Sequence, residues 1–282
     1  MPRADLRTLL DRSRDKGELP LVMGIVNITP DSFSGDGVLT LAQIQERASC
    51  LIEAGAEVLD IGAESTRPGS SPISEEDERE RLLPALSALT SFEIPLSIDT
   101  RRPRIFREAM AFGASLINDI EGLSDPGFTD ILREFPHTMA VLMHKQGTPK
   151  TMQENPRYDD VVATVEDFFR QRLSSLESQG ISRERILLDP GIGFGKTREH
   201  NLQLLAETAR LARLGPLLIA PSRKRFLDPP DALRSPAERD LATGGVMAWV
   251  QIAGATLFRT HRPDVAREIR RSLKAIEGAG RG

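Results

Sequence analysis

Acidic and amide residues stand at the ends of several apolar segments of this chain. Asp99, Asn118 and Asp189 each lie within or directly against such a segment. Polar residues often begin where a strand ends, and this alone accounts for one or two such positions. Burying a carboxylate without a partner is strongly unfavourable, however. The recurrence therefore favours a shared ligand site over polar groups with a purely structural role.

The residue types narrow the choice of ligand without settling it. A carboxylate accepts a pair of hydrogen bonds from a flat edge that carries an N–H and an NH2 group. The 2-amino-4-oxopyrimidine edge of a pterin or a guanine presents that pair, and a nearby lysine or amide would serve its carbonyl and ring nitrogens. Carboxylates also bind amines, sugars and metals, so these residues alone leave the ligand open.

Basic residues cluster at the ends of the last two apolar segments. The seventh ends in Ser222-Arg223-Lys224, the eighth carries Arg259 and His261, and Arg67 follows the second. In a barrel of alternating strands and helices, the loops after strands 7 and 8 commonly bind phosphate. A solvated helix start is the alternative for the basic run after Ser222. The two further candidates on the eighth segment favour a phosphate or diphosphate site.

The segment GIGFGKT (191–197) resembles a phosphate-binding P-loop but fails one requirement. That motif needs a glycine where Pro190 stands. We interpret the glycines instead as positions where the backbone approaches a flat ring, with Phe194 beside it.

Eight short apolar runs supply the elements that would position these residues. They cover residues 21–28, 56–63, 95–100, 115–120, 139–144, 186–192, 216–222 and 255–261. Runs that are nearly continuous in apolar residues are typical of parallel strands covered on both faces. Amphipathic segments at helical spacing lie between them.

This alternation predicts an α/β fold, a closed (β/α)8 TIM barrel in a single domain. A doubly wound open sheet is the alternative, but it usually has fewer strands and a switch point. We expect residues 1–17 to form an N-terminal helical extension and residues 18–278 to form the barrel.

Composition excludes several other classes of protein. With a formal net charge of -4, the chain of 282 residues has no basic field for nucleic acid. No run approaches 18 apolar residues, the length of a membrane-spanning helix, and the first residues form a mixed-charge helical pattern. We therefore expect a cytoplasmic protein without a membrane partner. The single cysteine, Cys50, is predicted to lie in the core, and the histidines show no metal-binding spacing.

Taken together, the motifs resemble the dihydropteroate synthase family of pterin-binding enzymes over about residues 20 to 277. They follow the family's order: MGIVNITPDSFSGDG, LDIGAESTRPGS, SIDT, NDI, LMHKQGTPKTM, LLDPGIGFGK, SRKRF and the Arg-Thr-His of the eighth segment. The resemblance implies that 6-hydroxymethyl-7,8-dihydropterin diphosphate is condensed with p-aminobenzoate by an SN1-like path, giving 7,8-dihydropteroate and diphosphate. It also implies Mg2+ as cofactor, small-molecule substrates as the partners and a homodimer.

The resemblance also implies a role for each matched residue. The pterin would be held by Asp60, Asp99, Asn118, Met143, Asp189, Gly193, Lys224 and Arg259, the last of these stacking on its face. The diphosphate would be surrounded by Asn27, Arg67, Arg259 and His261, with Asn27 as the Mg2+ ligand. The p-aminobenzoate site would be built by Phe33, Thr66, Arg67, Pro68, Phe194 and Ser222. The implied catalytic residues are Asp99, Lys224, Arg67 and Phe33.

Two other functions share parts of this pattern. A pterin-binding methyltransferase domain that serves a corrinoid protein should lack both the Ser-Thr-Arg-Pro-Gly loop and the Ser-Arg-Lys motif, which are present here. A non-catalytic pterin-binding paralogue would be expected to have lost Arg67, Lys224 or His261, and all three are retained. One departure from the family is Arg262, where an aspartate commonly stands, and we expect it to make the anion site more positive.

Overall fold

The eight apolar runs form eight parallel strands, which the computed structural model shows within the residues it describes, 5–15, 20–29, 40–65, 70–148, 150–229 and 231–279. The strands are β1 (Leu21–Asn27), β2 (Val58–Gly62), β3 (Leu96–Asp99), β4 (Ala114–Asp119), β5 (Met139–Met143), β6 (Ile186–Asp189), β7 (Leu218–Ile219) and β8 (Leu257–Thr260). Each strand begins and ends within a few residues of its predicted run.

The strand order closes the sheet into a barrel. The sheet runs β6-β5-β4-β3-β2-β1-β8-β7. A parallel bridge between Leu188 and Leu217 then joins β6 to the start of β7, and the Leu188 N–H donates to the Pro216 carbonyl at 2.8 Å. The predicted (β/α)8 barrel is confirmed.

Helices alternate with the strands along the chain. They are α1 (Leu6–Asp15), α2 (Leu41–Glu53), α3 (Glu75–Ala88), α4 (Pro103–Ala109), α5 (Pro126–Glu134), α6 (Val161–Ser178), α7 (Arg198–Ala206), α8 (Thr208–Ala212), α9 (Asp240–Ile252) and α10 (Pro263–Ala279). The longest, α6, begins where Asp160 accepts hydrogen bonds from the N–H groups of Val162 and Ala163. Its buried residues Val165, Phe169, Leu173 and Leu176 recur at helical spacing and pack toward the sheet.

Alternate residues of each strand divide the buried side chains into two clusters. The outer cluster joins the strands to the helices. The inner cluster fills the barrel and consists of Leu6, Leu10, Leu21, Met23, Val58, Leu116, Met139, Val141, Leu187, Leu218, Ala220 and Leu257. Because Leu6 and Leu10 belong to α1, that helix closes the amino end of the barrel and shares its core.

One residue does not lie where the sequence predicts. Cys50 was expected in the core, but its side chain is exposed. The buried residues of α2 are Ile44, Ala48 and Leu51, and a helix turns by roughly 100° per residue. Residue 50 therefore lies about 200° around the helix from residue 48, on the face turned away from the barrel.

Within the described residues, no helix combines the length and the apolar composition that crossing a membrane requires.

We predict that Leu10→Ala destabilises the fold, because Leu10 is only 2% exposed and packs inside the amino end of the barrel. A buried leucine truncated to alanine leaves a cavity and lowers the free energy of unfolding by about 2–5 kcal/mol. Urea denaturation measures this change. Leu233→Ala is the control: Leu233 is 77% exposed, and its truncation should change stability by less than about 0.5 kcal/mol. Equal effects of the two substitutions would contradict the role given to α1.

Candidate active site

Polar side chains gather on the interior of the barrel at the carboxyl ends of the strands. Strand pairing places Asp60 beside Ser97, Asp99 beside Asn118 and Met143 beside Asp189. Below this level the barrel interior is apolar. Asp60, Asp99, Asn118 and Asp189, which the sequence analysis selected, therefore lie at one end of a closed core.

Asp60 is fully buried and organises its neighbours. Its carboxylate accepts hydrogen bonds from the Ser97 hydroxyl at 2.6 Å and from the Asn118 amide at 3.1 Å to each oxygen. It also accepts from the Nε of Arg259 at 2.6 Å. Every one of these bonds is made to the protein, so Asp60 fixes the orientation of Asn118 and Arg259.

Arg259 lies between two carboxylates. Its Nη2 is 2.6 Å from an Asp60 oxygen and donates to Asp99 at 2.8 Å. Burial raises the pKa of Asp99 to about 7, and repulsion from Asp60 adds to this while Arg259 opposes it. One cation thus serves two buried acids, and Asp99 holds its charge less firmly than an exposed aspartate.

Asp189 and Lys224 carry opposite charges, and each influences the pKa of the other. Burial raises the pKa of Asp189, and the charge of Lys224 opposes that rise. Burial also lowers the pKa of Lys224 to about 8, against the attraction of Asp189. The Lys224 ammonium donates to the Ile192 carbonyl and lies 4.7 Å from the centre of the Phe194 ring. Asp189 is the last residue of β6, and Lys224 follows β7. Closure of the barrel brings these two strands together.

The glycines of the 191–195 loop are needed for backbone packing. Gly191, Gly193 and Gly195 all have positive φ. A Cβ on Gly191 would lie 1.9 Å from the His144 carbonyl oxygen, and one on Gly195 would lie 2.2 Å from that of Gln146. Two of the three glycines therefore let the loop pack on the segment after β5. Gly193 instead lies beside the Lys224 side chain, and the approach of a flat ring to it stays a prediction.

The comparisons with known proteins agree with this geometry. Residues 23–261 match the family model described as pterin binding enzyme. The dihydropteroate synthase of Escherichia coli K12 is 42% identical over 267 residues, which cover 92% of this chain and 93% of that protein. The chain belongs to the dihydropteroate synthase family of pterin-binding enzymes.

Solved structures of the family share the fold. A Xanthomonas albilineans dihydropteroate synthase with 4-aminobenzoic acid has a TM-score of 0.85 at 38% identity, over 92% of this chain and 93% of that one. The same enzyme in complex with 7,8-dihydropteroate has a TM-score of 0.81 at 36% identity, over 92% of this chain and 94% of that one.

The anion site inferred from the family is partly described. The Ser222 hydroxyl lies 3.0 Å from Nδ1 of His261 and accepts from the His261 N–H at 3.1 Å. Asn27 ends β1 beside Gly62, whose other neighbour is Asp99. The structure thus brings the ends of β1, β3, β7 and β8 to the same rim of the barrel. Four residues matched to the family, Phe33, Thr66, Arg67 and Pro68, lie outside the described residues.

Arg262, the departure from the family pattern, does not act as the sequence suggested. It was expected to make the anion site more positive. Its guanidinium instead donates to both oxygens of Asp264, at 2.8 and 2.6 Å, and to Asp240 at 3.1 Å. Its charge is therefore offset by two carboxylates.

Lys196 is a buried cation beside the site that was not expected from the sequence. Lys196 is 3% exposed, and its ammonium contacts Nδ1 and the carbonyl of His144, at 3.1 and 3.3 Å, and the Phe194 carbonyl at 3.1 Å. Burial lowers the pKa of Lys196 to about 7 and that of His144 to about 3. Lys196 ties the glycine loop to β5. Lys196 belongs to the segment GIGFGKT, but in a P-loop the lysine of this segment would bind phosphate, so a structural role for it was not expected.

We predict that Lys196 makes stability depend on pH above neutrality. Its pKa is lower in the folded protein, about 7, than the ordinary value of 10.5. Between these values the unfolded chain binds more protons, so the free energy of unfolding rises with pH. Relative to Lys196→Met, the wild type should gain stability from pH 7 to pH 10 in denaturant titrations.

The control for this experiment is Lys274→Met on α10, where the lysine is exposed. Its stability difference from the wild type should stay constant over the same range. A constant difference for Lys196→Met as well would show that Lys196 does not bear a perturbed charge.

Proposed function

We propose that the chain catalyses the condensation of 6-hydroxymethyl-7,8-dihydropterin diphosphate with p-aminobenzoate, giving 7,8-dihydropteroate and diphosphate. The observation that carries this proposal is the polar layer formed by Asp60, Asp99, Asn118 and Asp189 at the carboxyl ends of their strands, where Arg259 bridges Asp60 and Asp99. The names of the relatives and the 4-aminobenzoic acid and 7,8-dihydropteroate complexes of the Xanthomonas enzyme support it.

The polar layer suits the pyrimidine edge of a pterin. The Asp189 carboxylate accepts one bond from the Gly191 N–H at 2.7 Å and keeps lone pairs for a ligand's N–H and NH2 groups. Asn118, held by Asp60, adds an amide oxygen. Lys224 would serve the pterin carbonyl and a ring nitrogen, exchanging its bond to the Ile192 carbonyl. Met143 is buried at the end of β5 beside Asp189 and would line the pocket with Gly193.

Charge placement fits a reaction that separates a cation from an anion. The exocyclic carbon of the pterin loses diphosphate, and the resulting cation is delocalised over the ring. The nearby Asp99 carboxylate stabilises that cation, while Arg259 and His261 face the departing anion. The aniline nitrogen then needs orientation more than activation by a base, in accord with an SN1-like path.

A magnesium ion fits the rim at β1. Mg2+ is usually bound by one or two protein oxygens together with substrate phosphates and water. Asn27 offers an amide oxygen, and Asp99 lies two strands away at the same level. Among the described residues no three His, Cys, Asp or Glu side chains form a metal-binding group, so we propose that the ion arrives with the diphosphate. When bound, it offsets the charge that develops on that leaving group.

The p-aminobenzoate would lie above the pterin, at the rim. Of the residues assigned to this site, Phe194 and Ser222 belong to the described part of the chain. The Phe194 ring faces the Lys224 ammonium, and Ser222 precedes Lys224 by two residues. Phe33, Thr66, Arg67 and Pro68 complete this site in our proposal.

Turnover tests the proposal directly. The purified protein is mixed with the pterin diphosphate, p-aminobenzoate and Mg2+, and dihydropteroate and diphosphate are measured by chromatography. We expect both products in equal amounts, and neither when a substrate is omitted or the metal is chelated. Absence of dihydropteroate with a folded protein would overturn the proposal.

Asp189→Asn should abolish tight pterin binding while the fold is retained. The asparagine oxygen can still accept from Gly191 N–H, but its NH2 group faces the ligand's own donors. Loss of a charged hydrogen bond of roughly 1.5–3 kcal/mol lowers affinity by at least about tenfold, measured by calorimetry. The control is Asp130→Asn, since the Asp130 side chain is 57% exposed on α5. Unchanged affinity in Asp189→Asn would remove this residue from the site.

We further propose that the chain forms a homodimer through α9. Leu241, Gly245, Trp249 and Ile252 fall on one side of that helix, and all are exposed. The Trp249 indole N–H donates to the Leu205 carbonyl at 2.9 Å, which fixes the ring on the surface. An apolar face of this kind is typical of an interface between subunits.

Ile252→Glu is therefore expected to convert the dimer to a monomer, because it buries an unpaired carboxylate at the interface. Light scattering measures the mass. Ile276→Glu on α10 is the control, since Ile276 is also exposed, at 68%, but belongs to another helix. A wild type that is monomeric at micromolar concentration would refute the dimer.

A further inference from the structure

Arg223 has an unusual backbone conformation between two residues of the proposed site. Its φ is +60°, in the left-handed region that non-glycine residues avoid. Ser222 precedes it and contacts His261, while Lys224 follows it and interacts with Asp189. Strain at such a position persists only where the surrounding structure enforces it.

Three groups enforce this conformation. Asp240, at the start of α9, accepts from Nε and Nη2 of Arg223 at 2.7 and 2.9 Å. The Arg223 N–H donates to the Thr243 hydroxyl at 3.2 Å, and the Arg223 carbonyl accepts from Arg239 at 3.3 Å. Arg239 is itself held by a bidentate pair with Asp228, at 2.7 Å for both bonds. Side chain, N–H and carbonyl of Arg223 are thus all restrained.

The position of the Arg223 guanidinium argues against a direct role in anion binding. The two hydrogen bonds that it donates within the described part of the chain both go to Asp240, which is only 8% exposed. Asp240 also accepts from Arg262, the residue after His261. A single carboxylate on α9 therefore connects the turn after β7 with the end of β8.

We propose that Asp240 is a positioning residue that holds Arg223 in its left-handed conformation, so that Ser222 and Lys224 on either side project into the site in fixed directions. The Asp240 carboxylate accepts hydrogen bonds from Arg223 and Arg262, so it acts through these side chains. The expected effects on turnover rest on the proposed function, whereas the backbone effect does not.

Two substitutions at the same position separate backbone placement from charge. Arg223→Gly and Arg223→Ala both remove the guanidinium, but only glycine adopts a φ near +60° without steric strain. The glycine variant should keep a kcat/KM at least about fivefold above that of the alanine variant, mainly through KM for both substrates, since our proposal places Lys224 against the pterin and Ser222 against the p-aminobenzoate. Equal losses would mean that the guanidinium acts directly and would overturn the proposal.

Asp240→Asn tests the anchor, and Asp264→Asn is its matched control because, among the described residues, Asp264 pairs with Arg262 and not with Arg223. Asp240→Asn should lower kcat/KM in the wild-type background and have little further effect combined with Arg223→Gly. It should also speed amide hydrogen exchange at Arg223 on the order of tenfold, while Asp264→Asn should change neither. Exchange that is the same in all variants would overturn the proposal. A wild type without turnover would refute the proposed function alone, because the exchange measurement would still decide this one.

Discussion

Arg259 lies between the carboxylates of Asp60 and Asp99, and the polar end of the barrel is arranged around these three buried charges. A buried carboxylate is tolerated only when it is paired and its remaining lone pairs are satisfied. Asp60 meets this condition with Ser97, Asn118 and Arg259, and so has no capacity left for a ligand. Within the part of the chain that the structure describes, Asp99 shares the same cation and has no comparable set of partners. This asymmetry supports our proposal that Asp60 holds the site together and that Asp99 takes part in the chemistry.

The two lysines of this region, unlike Arg259, have a pKa below the ordinary value of a lysine. Burial lowers the pKa of Lys224 to about 8 and that of Lys196 to about 7. Among the described residues, Lys196 is enclosed by two carbonyls and an imidazole, whereas Lys224 contacts one carbonyl and one aromatic face. In our proposal, a ligand acceptor takes the place of the Ile192 carbonyl at Lys224 and ligand donors bind Asp189. We therefore propose Lys224 as the lysine that binds the ligand, whereas Lys196 holds the 191–195 loop in place.

The sequence predicts what depends on periodicity and on position along a strand. Apolar runs predict all eight strands, and the position of polar residues at their carboxyl ends selects Asp99, Asn118 and Asp189. The family resemblance adds Asp60. The sequence could not predict contacts between residues that are distant along the chain. The hydrogen bond from Arg262 to Asp240 and the contact of Lys196 with His144 both depend on tertiary packing. Cys50 was assigned to the core because an apolar neighbourhood in sequence does not fix the phase of a helix. The glycines at 191 and 195 were recognised as special, but their reason, contact with the segment after β5, needs the fold.

Site residues within the strands and site residues in the turn after β7 are held in place in different ways. Asp60, Asp99 and Asp189 are fixed by strand register, which cannot shift by one residue without turning the core to the helices. Ser222 and Lys224 follow a strand of only 2 residues, so register cannot place them, and side chains from α9 must do so instead. This explains how the chain accommodates arginine at position 262. Asp240 already carries a bidentate arginine, and Asp264 supplies the second carboxylate that another guanidinium requires. Because the carboxylates lie on helices outside the barrel, the partners of this turn can change while the interior layer that meets the ligand stays the same.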